Sequence, residues 1–268
     1  MPFWECGGVM KPESFLGGVA VLVAVSLALE SAMLSGLLAL PLSVYHLLHL
    51  VLMLGLLAMT VALWWHRRRA GGPDAQVVML FAAGLTFTVV GDYVNSALSD
   101  VNPVTLKLTW ALLFFGLGYA CYIAGLWKGL ALVGPGSSRL WPLIGVILAV
   151  NVTGWFTSVA SRVSGNAALY YGSFIFNATL YVILPWLAIR YLVARRFAID
   201  AVVVTIGAVL LPFSDLVLFN TWLTPPGDAP ITLTQYSSNW IVYFGGQCLM
   251  NVFTASVAMA LARDRTKS

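Results

Sequence analysis

Five ionisable side chains interrupt otherwise apolar stretches of this sequence: Glu30, His46, His49, Asp92 and Asp215. Ionisable groups inside runs long enough to cross a bilayer are costly, and they mark functional sites. Two aspartates on different segments suit acid–base chemistry. One carboxyl delivers a proton, while the other, as carboxylate, steadies a developing cation or activates water. Such a pair titrates jointly, so the sequence leaves open which residue plays which part. Uncharged polar groups accompany them: Asn95, Asn151, Asn177, Asn220, Asn239, Tyr243, Gln247 and Asn251. Asp92 and Asn95 are spaced i, i+3 and so share a helix face, as do His46 and His49. Asn239, Tyr243, Gln247 and Asn251 recur every four residues, a polar stripe that would be expensive against lipid. Pro212, three residues before Asp215, removes a helical hydrogen bond and predicts a kink beside the acid.

The elements that must position these groups follow from composition. Of 268 residues, 60% are hydrophobic and 9% charged, against roughly 25% charged in an ordinary soluble domain. The mean hydropathy is +0.90. A soluble enzyme, a disordered chain and a coiled coil are excluded. The expected fold is all-α, a polytopic transmembrane helical bundle of about eight spans forming a single domain over 1–268. The spans fall at about 15–38, 41–65, 76–98, 104–127, 140–160, 168–192, 199–222 and 237–261. Pro41, Gly71-Gly72-Pro73, Asn102-Pro103, Gly134-Pro135-Gly136 and Pro225-Pro226-Gly227 punctuate them. Alternating strand patterns are absent, which argues against a membrane barrel.

With eight spans, one side carries Lys11, Arg67, Arg68, Arg69, Lys128, Arg139, Arg190, Arg195, Arg196, Arg263, Arg265 and Lys267, and the other only Lys107 and Arg162. Both termini are therefore expected in the cytoplasm. The formal charge of +4 orients the chain in a bilayer and is no sign of a nucleic-acid partner. Ser26-Leu27-Ala28 mimics a leader cleavage box, but the apolar run continues to Leu40, so a spanning helix is expected. Trp64, Trp65, Trp127, Trp141 and Trp222 near span ends read as an aromatic belt. Cys6, Cys121 and Cys248 show no CxxC spacing.

Depth is the informative property. Asp92 and Asp215 each lie sixteen or so residues into their spans, roughly 24 Å at 1.5 Å per residue. Glu30, His46, His49 and Gln247 fall in the same layer, the outer half of the bilayer. One polar pocket explains a shared layer. The more ordinary readings are that Asn151, Asn177 and Asn251 hydrogen-bond between helices, and that Glu30 pairs with His46 or His49 or sits near the interface.

The residues around both acids resemble the YhhN-type lysoplasmalogenase family of membrane proteins. Gly84-Leu85-Thr86-Phe87 leading to Gly91-Asp92 is similar to that family's Gly-Leu-x-Phe…Gly-Asp. Gly118-Tyr119-Ala120-Cys121-Tyr122 resembles a segment that usually carries His where Tyr119 stands. Gly207-Ala208, Ser214-Asp215 and Asn220 resemble its Gly-Ala…Ser-Asp…Asn, and Tyr243 with Gln247 its Tyr-x-x-x-Gln. The likeness covers about residues 76–260. The family's Lys-Pro pair has no match here, and His46 and His49 have no counterpart in the pattern.

That resemblance implies cleavage of a lysoplasmalogen to a fatty aldehyde and a glycerophospho-base. Asp92 and Asp215 are then catalytic. Tyr243, Gln247, Asn95, Asn220, Tyr119, Glu30, His46 and His49 are expected to bind substrate, and neither metal nor cofactor is required. Three alternatives share part of the evidence. Another lipid enzyme that protonates a C=C bond, such as a terpenoid or carotenoid hydratase or cyclase, needs the same two acids. A proton-coupled transporter also uses buried acids, although inverted repeats are lacking. A zinc hydrolase would draw on His46, His49 and the aspartates.

Overall fold

The interior of this chain is apolar with polar residues set into it, and its exterior is apolar too, unlike that of a soluble protein. Glu30, Gln247, Asn251 and Thr88 have no exposed surface, whereas Leu37, Ile199, Val150 and Val146 are among many large apolar side chains left open. An apolar exterior is stable only against hydrocarbon, and eight helices are long and apolar enough to cross a membrane.

The computed structural model describes residues 10–97, 104–134, 140–222 and 233–265, with side chains in 10–95, 106–134, 140–219 and 233–263. Nine helices and no strand occur among them: α1 (Pro12–Leu34), α2 (Leu42–Arg69), α3 (Ala75–Ala97), α4 (Val104–Val133), α5 (Trp141–Ser158), α6 (Ala160–Val163), α7 (Ala167–Ala194), α8 (Ile199–Trp222) and α9 (Leu233–Arg265). All but α6 correspond to the eight expected spans. Several ends differ from the sequence reading: α2 runs four residues further, to Arg69, α4 to Val133, and α9 begins at Leu233. Those extra turns carry charged or polar residues that an apolar window discounts.

Local signals explain the boundaries. Pro12 opens α1 and Pro142 lies in the first turn of α5, where a missing N–H costs nothing. Asn166 caps α7 by accepting the Leu169 N–H at 3.1 Å. Both internal prolines are accommodated: α7 runs through Pro185 and α8 through Pro212 as continuous helices. The Ser214 hydroxyl takes up the Leu211 carbonyl at 2.7 Å beside Pro212.

Seven long helices close into a ring, α1–α2–α3–α4–α7–α8–α9 and back to α1, with α5 outside against α7. Helix α9 also reaches α2, α3 and α4 and so lies innermost. In its apolar stretch 78% of residues are buried, against 6% in α5. These two are the least apolar spans, so hydrophobicity does not decide which is central. The polar stripe does, because only the bundle interior can satisfy it.

Two glycine crossings set the spacing of the site. A Cβ on Gly84 would lie 3.0 Å from the Gly118 carbonyl oxygen, which brings α3 against α4. A Cβ on Gly207 would lie 2.5 Å from the Met250 nitrogen, which brings α8 against α9. Close backbone approach of this kind replaces side-chain interdigitation in membrane bundles. Each crossing lies eight residues before an aspartate, Asp92 in α3 and Asp215 in α8. That is about 12 Å along each helix.

The opposite end of the bundle carries the cation–aromatic belt. Arg69 lies over Trp65 at 4.7 Å, and Arg190 lies over Trp186 at 4.8 Å and Trp127 at 6.0 Å. Trp65, Trp127 and Trp141 are exposed, as interfacial tryptophans are. The Trp222 side chain lies outside the described residues.

Candidate functional site

The walls of one cavity are built from the helix ends nearest the α1–α2, α3–α4 and α8–α9 connections. It contains about 860 Å³ of empty space, part of it continuous with the outside. Helix α2 supplies His46, His49, Leu50 and Met53, α3 supplies Asp92 and Asn95, and α4 supplies Phe115. Helix α8 supplies Asp215 and Leu218, and α9 supplies Gln235, Tyr236, Asn239, Trp240 and Tyr243. A few polar groups converge in apolar walls, the usual make-up of a small-molecule site.

The two carboxyls are held differently. Asp92 is half-buried, and its Oδ2 accepts the Tyr243 hydroxyl at 2.9 Å. Asp215 is buried, and its Oδ2 accepts two phenols, Tyr119 at 2.9 Å and Tyr181 by a short bond. The aspartates are near enough for the charge of Asp215 to act on Asp92. A narrower apolar pocket of about 250 Å³ shares Asp215, Phe115 and Leu218 with the main cavity. It continues between α4, α7 and α8 along Leu108, Ala111, Leu112, Phe176 and Phe219. Asp215 thus stands where the main cavity meets a narrower one lined by apolar side chains.

No family model matches the chain, and neither does any curated protein or solved structure.

Of the candidate residues, Asp92, Asp215, Asn95, His46, His49 and Tyr243 come together around the cavity. Three others do not line it. Gln247 has no exposed surface and accepts the Tyr122 hydroxyl at 2.6 Å. Tyr119 has none either and reaches the site only through Asp215. Glu30 lies behind His49: its Oε1 is 2.8 Å from His49 Nε2, and its Oε2 accepts the Tyr45 hydroxyl at 2.6 Å. Of the two histidines open to it, Glu30 pairs with His49. The Asn220 side chain falls outside the described residues.

Asn151, Asn177 and Asn251 each donate to a carbonyl one turn back in their own helix, at 2.9 Å in every case. Such bonds are structural. Cys121 and Cys248 are unpaired thiols, and Cys6 lies outside the described residues. Among the described residues no three His, Cys, Asp or Glu side chains gather as metal ligands would.

Four residues of the site were not singled out by the sequence. Tyr181 follows Ser173 and Asn177 at steps of four on α7, a polar row that was there to be seen. Trp240 and Tyr236 belong to the cavity face of α9. Lys107, counted above only as an outer-side charge, is 2% exposed and close enough to His46 for its charge to be felt.

Proposed function

We propose that this chain is a membrane-embedded hydrolase of vinyl-ether lipids, cleaving a lysoplasmalogen-type substrate with Asp92 and Asp215. The observation that carries the reading is that two carboxyls from separate helices meet at one cavity and each accept phenol hydroxyls. Two phenol O–H donors on one oxygen suit an anion. Asp215 is accordingly the carboxylate, and Asp92, half-buried in the cavity lining, is the proton donor.

A vinyl ether, R–CH=CH–O–R′, is hydrolysed by protonation at its β-carbon. Asp92 delivers that proton, and the electron pair of the double bond forms the new C–H bond. Oxygen lone-pair donation leaves an oxocarbenium cation, which the anionic Asp215 stabilises. Water adds to the cationic carbon and gives a proton to a carboxylate. The hemiacetal then collapses to aldehyde and alcohol, with net consumption of one water. Asn95 and Asn239 line the cavity and would orient the substrate, and the apolar side chains of the same cavity would pack on its alkenyl chain.

The direct test is mass spectrometry of purified protein in detergent with a panel of vinyl-ether, alkyl-ether and ester lysolipids. Aldehyde released from the vinyl ether alone supports the reading. Turnover of the ester, or none of the three, contradicts it.

Both termini belong, in this reading, to the cytoplasm, because twelve of the fourteen Lys and Arg residues fall on that side. Reporters inserted at Gly71 and Ser164 are expected to respond from opposite faces, Gly71 from the cytoplasm. The reverse arrangement would invert the cavity toward the cytoplasm.

A further inference from the structure

The acid–base mechanism makes no use of the Glu30–His49 pair, although it is the most deeply buried ion pair at the cavity. Glu30 has no exposed surface, and its two oxygens are occupied by Tyr45 and His49. A carboxylate only accepts, so His49 Nε2 carries a proton. A buried carboxylate also requires a counter-charge, and His49 is its ion-pair partner among the described residues. The imidazole lies flat on the Trp240 indole, with centroids 3.8 Å apart and planes 2° apart. That stacking favours an imidazolium. As an imidazolium, the form that neutralises Glu30, the ring presents a second N–H at Nδ1. It has no hydrogen-bond acceptor among the described residues, while the ring forms part of the cavity wall.

His46 lies one turn earlier on the same face of α2 and lines the same cavity. It touches the rings of Tyr45 and Tyr236 and makes no hydrogen bond among the described residues. Lys107, buried in α4, adds positive potential at His46. The α2 side of the cavity therefore offers N–H donors. The Trp240 face beside them is already stacked by His49 and, at 5.1 Å, by Phe244, so that ring is not open to a cation.

We propose that His49, held in place by Glu30, and His46 form a subsite for a phosphate group on the α2 wall of the cavity. The inference rests on the preceding reading only in making the ligand a single-chain phospholipid whose reacting bond lies at the aspartates. Phosphate recognition is measured separately from bond cleavage. His49 and His46 are then specificity residues, and Glu30 is a positioning residue behind them.

The experiment is equilibrium binding near neutral pH to the detergent-solubilised Asp92→Asn protein. Two non-hydrolysable ligands differ only in phosphate: a saturated 1-O-alkyl lysophospholipid and the matching 1-O-alkylglycerol. The phospholipid is expected to bind about tenfold or more tighter, the scale of a charge-assisted hydrogen bond. His46→Ala, and separately the charge-balanced Glu30→Gln/His49→Gln pair, should cut that preference severalfold and leave alkylglycerol affinity unchanged. His46→Ala breaks no hydrogen bond among the described residues and is expected to fold. Inorganic phosphate and glycerol phosphate serve as competitors. Displacement of the phospholipid by either supports the subsite and identifies free phosphate as a ligand. Failure to displace, with the lipid preference intact, supports it for lipid phosphate alone. Equal affinity for the two lipids, or a preference that survives both sets of changes, overturns the proposal. A preserved preference, with no aldehyde released from a vinyl-ether lysophospholipid by the wild-type protein, would sink the hydrolase reading and leave the phosphate subsite standing.

Discussion

The Tyr243 hydroxyl donates to Asp92 Oδ2 at 2.9 Å, and this bond ties the innermost helix, α9, to α3 at the cavity wall. On α8, Asp215 draws two phenols to one oxygen, from α4 and α7. The two acids are thus aimed by five different helices, none of which contributes both an acid and its tether. A site assembled this way is rigid only when the whole ring of helices is closed.

The tyrosines should separate by role. Tyr119→Phe and Tyr181→Phe each remove one donor from the proposed anion. Loss of a hydrogen bond to a charged group costs about 1.5–3 kcal/mol, so kcat is expected to fall about 10- to 100-fold in each. Tyr122→Phe removes the bond to Gln247 and no bond to either acid. It should lower the melting temperature while kcat stays within about threefold, the scale of an ordinary hydrogen bond when it is not made to the reacting groups. Steady-state kinetics and melting curves on the three variants check this, and equal kcat losses in all three would contradict the division.

Solvent isotope reports on the first step. Turnover in D2O should place one deuterium on C2 of the released aldehyde, because the β-carbon takes its proton from a carboxyl in exchange with solvent. Unlabelled aldehyde incubated alongside controls for exchange. An aldehyde without deuterium would mean that the bond breaks without protonation of the alkene.

The glycine crossings predict stability rather than chemistry. Gly207→Ala places a methyl 2.5 Å from a backbone nitrogen of α9, which no side-chain rotation relieves. Overpacking of this kind costs about 1–3 kcal/mol. Gly154 in α5 has no atom within 4 Å of such a methyl, and Gly154→Ala should be neutral or gain up to about 1 kcal/mol of helix propensity. Thermal unfolding in one detergent compares them, and equal melting temperatures would remove the close crossing.

Much of this was legible in the chain. Eight apolar runs give the helices, and the common depth of Asp92, Asp215, His46 and His49 brings them to one cavity. The polar stripe on α9 marks that helix as interior. What the stripe did not reveal is how it turns. At 3.6 residues per turn a four-residue step overshoots by about 40°, so Gln247 is rotated by about 80° from Asn239. Asn239 and Tyr243 therefore face the cavity, while Gln247 and Asn251 turn away into the helix core. Tyr181 was hidden for another reason. A phenol in an aromatic-rich apolar run counts as hydrophobic until a buried carboxylate is found beside it. The pairing of Glu30 with His49 instead of His46 depends on how α1 meets α2, a packing angle that periodicity within one helix does not contain.

The central claim is that both aspartates act on one bond. Aldehyde release from a vinyl-ether lysolipid should be timed for the wild-type protein, Asp92→Asn, Asp215→Asn and the double variant, each first shown to be folded by size-exclusion profile. Each single change keeps side-chain shape and removes an acid or base. Turnover is expected to drop at least about 10²-fold in both, and the double variant should lose little beyond the worse single, since the pair works as a unit. Near-wild-type aldehyde release by either folded single variant would contradict the account.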